Sequence, residues 1–136
     1  MYVSIEDFQR ISAFLGSLRL DETTNATRQL HSDIERGRVM EGRDLPRDVV
    51  TLDAAVVLRE IASGAQRYVL LVLQSDLESG SAEVRVFDPL GLALFGRRTG
   101  DVIEGPERQR FRIEYVQQPR SLRSPTSPII EEAVYA

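Results

Sequence analysis

The twenty residues from Val84 to Ile103 constrain the fold more than any other stretch. They read Val-Arg-Val-Phe-Asp-Pro-Leu-Gly-Leu-Ala-Leu-Phe-Gly-Arg-Arg-Thr-Gly-Asp-Val-Ile. Val84 and Val86 alternate with Arg85, the period-2 pattern of a half-buried strand. Pro89 has no N–H to give a sheet, so the strand must end near Phe87. Leu90, Leu92, Ala93, Leu94 and Phe95 form a run too short for a free helix, but packed on a sheet it can hold one or two turns. Gly96 supplies the helix stop. Thr99-Gly100-Asp101 is turn chemistry before the next strand. The residues alone describe a short helix plugging the open face of a small sheet.

The flanking sequence supplies that sheet. Asp48 to Val57 is rich in β-branched residues and predicts a strand, a kink near Asp53, and a second strand through Leu58 and Ile61. Ser63-Gly64 signals a hairpin turn. The continuous apolar run Tyr68–Leu73 suits a central strand buried on both faces. Ser75 to Ser81 is a polar loop whose Asp76 and Glu78 lack the oxygen spacing of a calcium site. Asp101–Glu104 predicts a strand and Gly105-Pro106-Glu107 a turn. Arg108–Val116 then alternates, with Phe111, Ile113 and Tyr115 on one face and Arg110, Arg112 and Glu114 on the other. After Pro119 the chain turns linker-like around Ser124-Pro125-Thr126-Ser127-Pro128. A flexible tail is expected there, with a short helix docked on the body as one option.

Upstream of the sheet lie two helices. Ile5, Phe8, Ile11, Leu15 and Leu18 recur at three or four residues and form one apolar stripe. Ser4 is placed to cap this helix, with Asp7 in a near capping box and Glu6 and Asp7 favoured by the helix dipole. A polar loop containing Asp21 and Glu22 follows. One of Thr23, Thr24 and Asn25 should cap a second helix from Ala26 to Arg38, with Leu30, Ile34 and either Thr27 or Arg38 facing inward. Two helices joined by a short loop predict an antiparallel hairpin with arms of roughly 20 Å. Residues 1–44 are assigned to it, 45–119 to the sheet domain and 120–136 to the tail. His31, the only histidine, reads as an ordinary residue at the helix margin.

Composition removes several classes of function. The chain has no Cys, so disulfides and thiolate metal sites are excluded. No apolar run of about 18 residues exists and no signal segment is evident, which predicts a cytoplasmic protein without a membrane span. Every basic residue is Arg and the net charge is −4. This balance argues against direct nucleic-acid binding, which rests on neutralised phosphates. Arg97-Arg98, the only basic doublet, reads as a solvated helix end. No cofactor or metal site is expected, and the chain is not expected to be an enzyme.

The pattern Asp88-Pro89-Leu90-Gly91-x-Ala93-Leu94-x-Gly96-x-x-x-Gly100-Asp101-x-Ile103 resembles the signature of the C-terminal domain of the Gre transcript-cleavage factors and their shorter Rnk relatives. Leu45-Pro46-Arg47-Asp48-Val49-Val50-Thr51-Leu52 and Tyr115-Val116-Gln117-Gln118-Pro119 extend the resemblance over roughly residues 45–119. It implies an α+β protein: a short N-terminal antiparallel helical hairpin, then an FKBP-like, mostly antiparallel β half-barrel with one short helix. FKBP likeness invites a prolyl isomerase reading, but the chain lacks Trp and has few aromatics for a proline pocket. The Gre resemblance implies RNA polymerase as partner, gripped at the rim of its secondary channel by Asp88, Pro89 and Leu90. It implies that Asp21 and Glu22 form the hairpin tip. In Gre factors such acids help hold a catalytic Mg²⁺ of the polymerase. Here the two acids are adjacent and the arms short, which favours the Rnk type, a regulator that competes at the channel without provoking cleavage. A cleavage factor and an interaction module without polymerase contact are the alternatives.

Overall fold

The computed structural model describes residues 1–19, 24–74 and 82–123. The expected tip acids Asp21 and Glu22, the loop 75–81 and the tail 124–136 lie outside them. The described elements are β1 (Tyr2–Ser4), α1 (Ile5–Gly16), α2 (Asn25–Glu35), β2 (Arg38–Met40), β3 (Ala55–Glu60), β4 (Gln66–Val72), β5 (Glu83–Arg85), α3 (Pro89–Leu94), β6 (Val102–Glu104), β7 (Arg110–Gln117) and α4 (Arg120–Arg123). Among them no helix is long and apolar enough to cross a membrane.

The body is a curled five-stranded half-barrel sheet in the order β5-β4-β3-β7-β6. Its pairs are antiparallel except β4 with β5. The expected α+β half-barrel is therefore present. The centre is β3, not the Tyr68–Leu73 run. That run forms most of the neighbouring inner strand β4, where Val69, Leu71 and Val72 are buried on the two faces while Tyr68 at its start is exposed. Asp53 turns the chain with φ of 65°, at the predicted kink. The strand expected before it does not form: only Val49 bridges, to Arg98, while Val49, Val50 and Leu52 are buried as an irregular segment. Ile61 falls past the end of β3 and is exposed.

The β7 alternation breaks once. Val57 pairs with Tyr115 but Leu58 with Ile113, so Glu114 is an extra residue, a bulge that flips the faces beyond it. Phe111 and Ile113 stay inside, Val116 takes the next inner position, and Tyr115 is 57% exposed rather than inward.

The helical pair is present but is rooted in the body. Val3, Ile11, Leu30 and Ile34 share one core with Val50, Leu52, Leu94 and Phe95. Ile5, expected on the inner stripe, is exposed at the first turn. Two short strands unseen in the sequence, β1 and β2, pair in parallel and close the open end of the helical pair. Their pairing ends α2 at Glu35, so Arg38 is a strand residue and the inward position falls to Thr27. Thr24 is the cap: its Oγ1 accepts the Thr27 N–H while Thr27 Oγ1 accepts the Thr24 N–H.

Candidate partner-docking site

The strand-to-helix corner is built by Asp88. Its carboxylate does not cap α3. It accepts the Arg85 backbone N–H at 3.1 Å and the Arg85 guanidinium at 3.1 Å, which locks the turn after β5. Pro89 is the first residue of α3, where its missing N–H costs nothing, and it is exposed. Leu90 is only 3% exposed and packs inward. The three residues singled out thus divide: Asp88 and Pro89 form a surface knob, and Leu90 holds it on the core. Gly91 makes the corner tight, since a Cβ there would lie 2.0 Å from the Arg85 carbonyl oxygen.

The knob abuts the first helix. Phe87 stacks against Phe14 of α1 with ring centroids 5.2 Å apart. Phe14 lies off the stripe read from the sequence. It is half-buried because α1 lies along this side of the body.

A second tie was missed altogether. Asp7 is 3% exposed, and its carboxylate accepts the Leu52 N–H at 2.9 Å. The kink at Asp53 prevents Leu52 from joining a strand, and the amide so freed is satisfied by α1. The predicted near capping box is therefore half made: Ser4 Oγ accepts the Asp7 N–H at 3.0 Å, but the Asp7 carboxylate points to the body instead of back to Ser4. Burial pushes the Asp7 carboxyl up to about 6, against the Leu52 hydrogen bond and Arg10, which lower it. Beside it Arg10 reaches Asp53 at 2.8 Å, a second link between α1 and the kink. The signal available in the sequence was an acid three residues into a helix that also carried its apolar stripe.

His31 is exposed, 3.4 Å from Glu35, as expected of a helix-margin residue.

No family model matches the chain. It is 31% identical over 74 residues to the regulator of nucleoside diphosphate kinase of Escherichia coli (strain K12), over 54% of each chain. It is 32% identical over 76 residues to the transcription elongation factor GreA of Syntrophomonas wolfei subsp. wolfei, over 54% of this chain and 46% of that one. The chain thus spans about half the length of the curated relatives it matches. A solved prokaryotic transcription elongation factor GreA/GreB from Nitrosomonas europaea superposes with a TM-score of 0.74 at 25% identity, over 87% of this chain and 98% of that one. Residues 45–119 make up little more than half of the sequence, so this match also takes in part of the helical pair. In sequence and in fold, the chain is thus similar to proteins of the Gre and Rnk type.

Proposed function

We propose that this chain is a transcription regulator that binds bacterial RNA polymerase at the rim of the secondary channel. The Asp88–Pro89 knob grips the rim. The helical pair occupies the channel mouth in competition with Gre-type factors and does not stimulate cleavage. Likeness to a regulator and to elongation factors supports the partner.

One observation carries the choice against cleavage: the sinking of the helical pair into the core. The helix α1 has 12 residues, about 18 Å of rise, but its Asp7 and Ile11 are buried, as is Val3 of β1 just before it. Only five residues of α1 follow Ile11, about 8 Å. A carboxylate must come within about 2.1 Å of Mg²⁺ to ligate it. This short free length of α1 supports the regulator reading over the cleavage reading.

Two assays test the reading. Pull-down with core polymerase should succeed for the unmutated chain and fail for Asp88→Arg. No binding by the unmutated chain leaves only the interaction-module reading. On stalled elongation complexes the chain should not shorten the transcript, and it should slow shortening by an added Gre factor. Mg²⁺-dependent shortening abolished by the double variant Asp21→Asn, Glu22→Gln would establish the cleavage reading instead.

A further inference from the structure

A groove on the side of α2 and the loop after α3 plays no part in the docking knob. It encloses about 450 Å³ over a floor of Leu92 and Phe95. That is within the size range of small-molecule sites. Three arginines from two elements line it: Arg36 after α2, and Arg97 and Arg98 after α3.

The guanidiniums differ in how they are held. Arg98 is fixed on both sides, by Asp48 at 2.9 Å and by the Tyr2 ring, whose centroid lies 5.9 Å away. The guanidinium of Arg38 sits 5.8 Å from the same ring. Among the described residues Arg36 reaches only Asp33, at 3.5 Å, and its side chain is 73% exposed. Arg97 also lines the groove, and its side chain makes no hydrogen bond or ion pair among the described residues, which leaves its donors available to a ligand.

The acids in the groove are already engaged as acceptors. Asp33 takes the Gln29 amide at 2.9 Å as well as Arg36, and Asp101 takes the Arg98 N–H at 2.9 Å. The loop amides of Gly96 and Arg97 are spent on Val50 and Leu94 carbonyls. Recognition here falls to guanidinium forks, whose planar donors match phosphate oxygens in pairs.

We propose that this groove binds the diphosphate group of a small phosphorylated ligand. The inference stands apart from polymerase docking. Tyr2 already carries two guanidiniums, so it offers no free platform for a base, and the site should read phosphate rather than nucleobase.

The test is calorimetric titration of the full chain with inorganic pyrophosphate in about 50 mM salt, where screening is modest. Saturable binding at one site is expected, with ADP binding about as tightly. The double variant Arg36→Ala, Arg97→Ala should fold, since both side chains are exposed, and should bind at least about tenfold more weakly, as loss of charge-assisted hydrogen bonds implies. Arg67→Ala, on β4 and outside the groove, should bind as the parent does. Three results would overturn the proposal: no saturable binding of pyrophosphate or ADP, equal weakening by Arg67→Ala, or a short poly-glutamate peptide binding as tightly as pyrophosphate.

Discussion

Asp7 is a charge the fold tolerates at a cost. Its carboxyl is nearly enclosed, and burial raises its pKa from 3.8 to about 6. The folded state therefore holds the proton more tightly than the unfolded chain does. By linkage, the contribution of Asp7 to stability is greatest below about pH 4, declines as pH rises through the window from 3.8 to about 6, and is flat above it. At about 1.4 kcal/mol per tenfold change in proton affinity, the full swing is about 3 kcal/mol. Asp7→Asn keeps an oxygen to accept the Leu52 N–H but never ionises. It should match the parent near pH 4 and exceed it by up to about 3 kcal/mol at pH 8. Urea unfolding between those limits reads this as a midpoint shift approaching roughly 2 M, for a typical slope near 1.5 kcal/mol per M. Glu114 works in the opposite direction, because the Arg59 guanidinium hydrogen-bonded to it holds its carboxyl below the usual range. The difference between variant and parent, rather than either curve alone, isolates Asp7. Two parallel curves, or a variant less stable at every pH, would refute the reasoning.

Two further substitutions probe the corner and the cap. Gly91→Ala should lose at least about 2 kcal/mol in urea unfolding, because its methyl group meets the Arg85 carbonyl and backbone must move. Thr24→Ala removes the cap of α2 and half of its reciprocal bond, and should cost about 1 kcal/mol, read in the same assay.

The sequence was most legible where one residue decides the backbone. Pro89 fixed the start of α3, Gly96 with φ of 81° its end, and Asp53 the kink. It was least legible where tertiary pairing decides. Nothing local marks Glu114 as a bulge, and the flip it causes put Tyr115 on the wrong face. The three-residue strands β1 and β2 are too short to carry a period. At the strand-to-helix corner the Asp-Pro pair was legible as a motif. The lock from Arg85 was not, because an acid three residues after an arginine is common on any surface. The burial of Leu90 was within reach, since it heads the apolar run that packs on the sheet.

The same shared core decides whether the sheet domain can stand without its first 44 residues. The sequence invites a cut at Leu45, where helical spacing gives way to strand spacing. The packing argues against it. Removing residues 1–44 takes Val3, Ile11, Leu30 and Ile34 out of the core they share with Val50, Leu52 and Leu94. It also strips the Leu52 N–H of its acceptor. At about 2 kcal/mol for each buried aliphatic side chain, the four lost residues alone represent roughly 8 kcal/mol. A domain of this size commands only about 5–15 kcal/mol in total. The fragment 45–136 should therefore be collapsed without fixed packing, with weak near-ultraviolet circular dichroism and poorly dispersed amide resonances. A well-dispersed spectrum and a cooperative unfolding transition from that fragment would mean that the helices are a detachable appendage. The premise that their rooting limits the reach of the finger would then fall with it.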